Sequence, residues 1–146
     1  MTGEFSIAVH AIVFLNSHPG RFNSETLARN VCTNPARIRK VMSKLKRAGL
    51  IDAKEGAVGG YSFVLDAKRT SLLVVFDALN EPVIATSWRS GDPEMECAVA
   101  AGMANVMDAI YSEMDACCRN RLNSITIYDV TNWLQKPDDE QEGPLV

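Results

Sequence analysis

Residues 34–49 constrain this chain more than any other stretch. Asn34 is a strong helix cap, Pro35 fits the first helical position where no backbone donor is missed, and Gly49 ends the run. Between them Ile38, Val41, Met42 and Leu45 recur at the i, i+3, i+4, i+7 spacing of one buried face. The same segment holds six basic residues, Arg37, Arg39, Lys40, Lys44, Lys46 and Arg47, and no acid. On a helical wheel these cations spread over the arc opposite the apolar face, with Ser43 at its middle. Such a helix needs a hydrophobic platform under one side and either solvent or a polyanion over the other. Taken alone, a solvated face explains it as well as a nucleic acid does.

The surroundings favour the nucleic acid. Ser24 is expected to cap a short helix through Leu27 and Ala28 to about Arg29, and Val31-Cys32-Thr33 forms a three-residue turn. After Gly49, Leu50–Lys54 and Tyr61–Leu65 alternate as strands joined by the glycine-bearing loop 55–60. A mostly apolar helix, about Ser6 to Asn16, precedes all of this and is broken by His18-Pro19-Gly20. Two helices, a turn and a glycine-tipped hairpin in this order make a winged helix-turn-helix, in which the basic face lies in the major groove. Arg37, Arg39, Lys40 and Ser43, on the first turns, are the candidates for reading base edges. Lys44, Lys46 and Arg47 are candidates for holding phosphates. Lys54, Gly59, Gly60 and Tyr61 of the hairpin would lie over the DNA backbone or minor groove. Against that, the loop carries Glu55 and no arginine, as an ordinary hairpin does. Thr33 and Asn34 could also meet a phosphate, although Asn34 has a sufficient role as the cap.

Charge is segregated in the same sense. Residues 1–69 hold eleven Lys/Arg and five Asp/Glu, a net of +6; residues 70–146 hold four and thirteen, a net of −9. A polyanion is attracted to the first part and repelled by the second. The second part opens with a short helix from Ser71 to about Asn80 and a loop containing Pro82, Gly91 and Pro93. A long helix is predicted from about Cys97 to Leu122, with Val99, Met103, Val106, Ile110, Met114 and Cys117 along one side. At about 1.5 Å per residue it outreaches a small domain. An apolar stripe of that length is therefore expected to pair with its own copy in an isologous dimer. Thr126 begins a last short helix, and the acidic tail 137–146 is expected to be disordered. The expected organisation is 1–82 as the DNA-binding domain, 83–136 as loop, dimerisation helix and closing helix, then the tail.

The run from Leu27 to Leu65, with Val41-Met42-Ser43-Lys44-Leu45-Lys46-Arg47-Ala48-Gly49-Leu50-Ile51 and Gly59-Gly60-Tyr61, resembles the Rrf2 family of bacterial regulators, of the IscR, NsrR and CymR type. The opening helix, the short helix near 70–82, the long helix and Ser124-Ile125-Thr126-Ile127-Tyr128-Asp129-Val130 fall where that family has them. The resemblance implies a mainly α fold with a small β-hairpin wing and a homodimer built on the long helix. It also implies a near-palindromic operator and, usually, repression. In one respect the chain departs from it. Cluster-binding members place three cysteines before and at the start of the long helix, whereas residues 81–103 here hold only Cys97. An iron–sulfur site usually needs three thiolates and a further ligand, and Cys117 and Cys118 lie about 30 Å further along a helix. No cofactor and no metal site are expected. Cys97 remains a candidate thiol sensor, set against its reading as a small apolar filler.

Other classes fit less well. No phosphate-binding glycine loop precedes a helix, and no Ser–His or Cys–His pair has a telling spacing, so the chain is not expected to be an enzyme. A winged helix that docks protein is the alternative, but it has no need of six cations on one face. A small-molecule effector is compatible with Trp88, Trp133, Met95, Met103, Met107 and Met114, residues that serve equally as dimer core. Cys32 is expected in the core, and His10 and His18 are expected to be structural. The apolar run Ile7–Leu15 lacks a basic lead-in and a cleavage pattern, and no segment approaches a membrane span. A cytoplasmic protein with reduced thiols and double-stranded DNA as partner is the expectation.

Overall fold

The computed structural model describes residues 3–84 and 86–136. Its elements run α1 (Gly3–Ser17), α2 (Ser24–Val31), α3 (Pro35–Arg47), β1 (Ile51–Lys54), β2 (Gly60–Phe63), α4 (Leu72–Ala78), α5 (Ala98–Asn123) and α6 (Ile127–Gln135). The acidic tail, 137–146, lies outside the described residues.

Residues 3–81 and 122–136 form one compact unit, and residues 82–121 form another. In the first, α1 is the central post. Ile7, Ala8, Ala11, Ile12, Val13 and Leu15 are all buried, five of them on one broad face, while Ser6, His10 and Ser17 are exposed on the other. Ile38, Val41, Met42 and Leu45 of α3 are fully buried, as their spacing requires, together with Leu27 of α2 and Val75 and Phe76 of α4. Each such side chain removed from water is worth about 1.5–3 kcal/mol, so this shared core fixes the orientation of α3. The Phe5 ring meets that of Phe76 edge-on at 5.5 Å.

The closing segment is tied into this same unit. Ser71 and Thr126 form an isolated antiparallel bridge, and Leu72 N donates to Ile125 O at 2.8 Å. Thr126 and Asp129 form a reciprocal capping box that starts α6. Ile127 is fully buried, and α6 packs on α1. The expected division grouped α6 with the long helix; it packs on α1, in the same compact unit as α4.

Other boundaries moved for local reasons. Asn23, not Ser24, caps α2, because the Asn23 side chain accepts from Thr26 N at 2.9 Å while the Ser24 hydroxyl turns to α3. That helix runs on to Val31 and ends at Cys32, which adopts a left-handed conformation (φ 60°). Cys32 is exposed there, not in the core. Leu50 N still donates to Leu45 O at the end of α3, so β1 starts at Ile51.

In the second unit, α5 is a 26-residue helix whose one buried residue is Leu122, which itself belongs to the first unit. The loop before α5 folds back on it. Asp92 N donates to Ala100 O at 3.0 Å, and the Arg89 guanidinium reaches Asp108 at 2.5 Å and Asn105 at 3.2 Å. No described helix is long and apolar enough to cross a membrane.

Candidate nucleic-acid interface

Helix α3 is set by its first residues. The Asn34 side chain accepts from Arg37 N at 2.9 Å, Pro35 takes the first turn, and the chain leaves through Gly49 at φ +80°. Thr33 Oγ1 accepts from Arg37 Nη1 at 3.4 Å, so Thr33 and Asn34 support the first turn of α3. With its apolar side fully used below, α3 leaves Arg37, Arg39, Lys40, Ser43, Lys46 and Arg47 exposed above, and Lys44 half-buried at the edge.

The structure divides the six cations more finely than the helical wheel does. Lys40 and Lys44 both turn to one carboxylate, that of Glu4 in the first turn of α1, at 2.5 and 2.6 Å. Arg39 leans the other way, donating to Ser24 Oγ at 3.2 Å and lying 3.7 Å from Glu25 of α2. Among the described residues, Arg37, Lys46 and Arg47 have no acid within 4.0 Å in an ion pair. The segment 37–47 itself holds no acid, but the fold brings two beside it. Glu4 and Glu25 come from other helices, and no local spacing announces them.

The wing stands beside this face. β1 and β2 pair antiparallel with Lys54 opposite Gly60 and Ala53 opposite Tyr61. Tyr61 also exchanges two backbone hydrogen bonds with Phe22, at 3.1 and 2.8 Å, so the segment before α2 joins the hairpin as a third edge. This explains the glycine pair. A Cβ on Gly60 would lie 2.7 Å from the Phe22 backbone, at a φ of +129° that side chains rarely adopt. A Cβ on Gly59 would lie 2.1 Å from Lys54 O. Arg21, which sequence reasoning did not single out, clamps both strands by donating to Gly60 O at 3.3 Å and pairing with Asp52 at 2.5 Å.

Between α3 and the wing lies an open cleft of about 420 Å³ whose walls include Ser24, Arg39, Ser43, Lys46, Lys54 and Tyr61. Burial pushes the Tyr61 phenol up from its ordinary value, so it stays a neutral hydrogen-bonding group. The wing tip carries no cation: Glu55 and Val58 are exposed there, Val58 at 84%. The cleft is therefore cationic on its helix side and nearly neutral at the tip of the hairpin.

The remaining candidates sit on or beside α5. Val99, Met103, Val106, Ile110, Met114 and Cys117 are all exposed, Val99 at 65% and Val106 at 56%. Cys97 immediately precedes α5 and is exposed; the N–H groups of Ala100 and Val99 hold its thiol below the ordinary value. The two histidines have structural partners. His10 Nε2 lies 2.8 Å from Asn30 Oδ1, and His18 stacks on Phe14 at 4.2 Å. Among the described residues no three His, Cys, Asp or Glu side chains are grouped to hold a metal ion.

Comparison with known proteins agrees with this architecture. The chain is 30% identical over 136 residues to the HTH-type transcriptional regulator YwnA of Bacillus subtilis, an alignment covering 92% of this chain and 98% of that protein. A transcriptional regulator of Lactobacillus plantarum has a similar crystal structure, with a TM-score of 0.81 and 26% identity over 92% of this chain and 91% of its own. CymR, the global cysteine regulator of B. subtilis, shares the fold at a TM-score of 0.67 and 16% identity, covering 91% of this chain and 96% of its own. All three are named as regulators. Residues 1–132 match the family described as Rrf2, iron-dependent transcriptional regulator, and the chain belongs to that family.

Proposed function

We propose that the protein is a sequence-specific DNA-binding regulator that acts in the cytoplasm as a homodimer on a near-palindromic operator, in the manner of a repressor. The observation that carries this is the exposed face of α3, where Arg37, Arg39, Ser43, Lys46 and Arg47 stand clear of the core and Arg39, Ser43 and Lys46 line the wing cleft. Arg37, Arg39 and Ser43 lie on the first turns and are suited to base edges, arginine above all to guanine. Lys46 and Arg47 lie further along and are suited to phosphates, with Lys54, Gly59, Gly60 and Tyr61 of the wing flanking the backbone. The exposed stripe on α5 supports the dimer, because soluble monomers rarely leave such a patch in water. A two-fold axis would then present two copies of α3 to one face of the duplex, about 34 Å apart.

Selection of bound duplexes from a random pool tests this reading. It should enrich two inverted half-sites separated by about one helical turn. A pool that emerges unenriched would favour a winged helix that docks protein instead.

The family's description names iron, but the residues present do not fit a cysteine-ligated cluster. Between residues 81 and 103 the chain offers one thiol and no histidine, and that thiol sits at the start of α5 beside the exposed carboxylates of Glu94 and Glu96. Protein purified without oxygen is expected to be colourless and to hold no stoichiometric iron or sulfide. Recovery of two or more iron atoms per chain would contradict this, and would point to carboxylates or a partner chain as ligands.

A further inference from the structure

The Glu4 side chain is only 14% exposed, and its two oxygens are taken one each by Lys40 and Lys44, at 2.5 and 2.6 Å. These lysines are four residues apart and so lie on one flank of α3, close enough for a single carboxylate to bridge them. Gly3, Glu4, Arg37, Lys40 and Glu81 together line a cavity of about 400 Å³ at that flank, so a second acid faces the same place. The two lysines draw the Glu4 carboxyl down to about 2, and Glu4 in turn holds Lys40 above its ordinary value. Glu4 and Lys40 therefore each hold the other in its charged form.

A lysine that left Glu4 for a phosphate would abandon a carboxylate that is 14% exposed, at a cost greater for Lys44, whose side chain is 25% exposed, than for Lys40, whose side chain is 66% exposed. The same carboxylate repels an approaching phosphate. We propose that Glu4 is a specificity-determining residue, an internal counter-ion that withholds Lys40 and Lys44 from the phosphate backbone. This deepens the DNA-binding reading and rests on it. It also revises the roles expected from sequence, where Lys40 was a base reader and Lys44 a phosphate contact. Sequence-independent affinity comes from the number of phosphates neutralised. Withholding two cations from a face of six lowers that background while leaving the arginines that read bases in place, and the ratio of specific to non-specific binding rises.

The test is the salt dependence of binding to a random-sequence duplex, measured with the full chain. Each lysine released should steepen the slope of log K against log salt by about 0.9. Glu4→Gln, which keeps the shape and removes the charge, is expected to steepen it by about 1–2, and Lys40→Ala with Lys44→Ala in that background should restore the wild-type slope. In the wild-type background the same two lysine substitutions should leave the slope unchanged. A wild-type slope that flattens by about 2 on losing both lysines would overturn the proposal, since both would already be holding phosphates. So would a Glu4→Gln protein of lower melting temperature but unaltered slope, in which Glu4 merely fastens α1. A wild-type protein with no salt-dependent binding at all would remove the DNA reading itself, a failure distinct from either.

Discussion

Replacing Ile110 by glutamate is expected to convert the protein to a monomer and to abolish tight operator binding while leaving the recognition helix intact. Ile110 lies mid-way along α5, 43% exposed, with Val106 and Met114 one turn to either side. In a two-fold seam each copy of position 110 meets apolar partners from the other chain, and two carboxylates buried there would be desolvated without a counter-ion. The compact unit built on α1 buries its own core and takes nothing from position 110, so its fold should survive. Two linked half-sites are worth about 10²–10⁴ in avidity over one, and operator affinity should fall by about that factor. Sedimentation at micromolar concentration and a binding titration check the two halves of this expectation. A variant that remains dimeric, or a monomer that still binds its operator tightly, would remove α5 as the dimerisation element.

How much of this could be read from the residues depends on how local the cause is. Helix α3 was legible almost to the residue because cap, proline, apolar period and terminal glycine all lie within sixteen positions of chain, 34–49. The wing was legible for the same reason, although its outer limits were not: β2 ends at Phe63, opposite Ile51 where β1 begins, and Val64 and Leu65 are left exposed. Adjacent residues of equal capping strength cannot be ranked by type. Asn23 won over Ser24 because the Ser24 hydroxyl is used by Arg39. Cys32 misled through its chemistry, since a small apolar residue is usually buried, yet the left-handed end of α2 turns it outward. The Glu4 clamp was beyond reach. It joins residues 36 and 40 positions apart, and only the crossing of α1 over α3 brings them together. Lysines spaced four apart allow such a bridge without naming its carboxylate. The same holds for Arg21, whose partners lie 31 and 39 residues away across the hairpin.

Substitutions on α3 carry the other large effect, because they separate reading a sequence from holding a polyanion. Arg39 stands in the cleft wall with Ser43, tethered to α2 through Ser24, and a guanidinium so held loses little freedom on pairing with a guanine edge. Arg39→Ala is expected to cost about 1–3 kcal/mol on the selected operator, with preference relaxed at one base pair of each half-site and little change on scrambled duplex. Lys46→Ala with Arg47→Ala should weaken both duplexes alike and flatten the salt slope by about 2. Melting temperatures guard against loss of fold, since Arg39 also bonds Ser24 and lies near Glu25. The decisive measurement is therefore a parallel titration of wild type, Arg39→Ala and the Lys46–Arg47 double variant against operator and scrambled duplex at moderate salt. The account predicts a selective loss for the first variant and a uniform loss for the second. Operator affinity unchanged in both folded variants would mean that α3 is not the DNA-reading element.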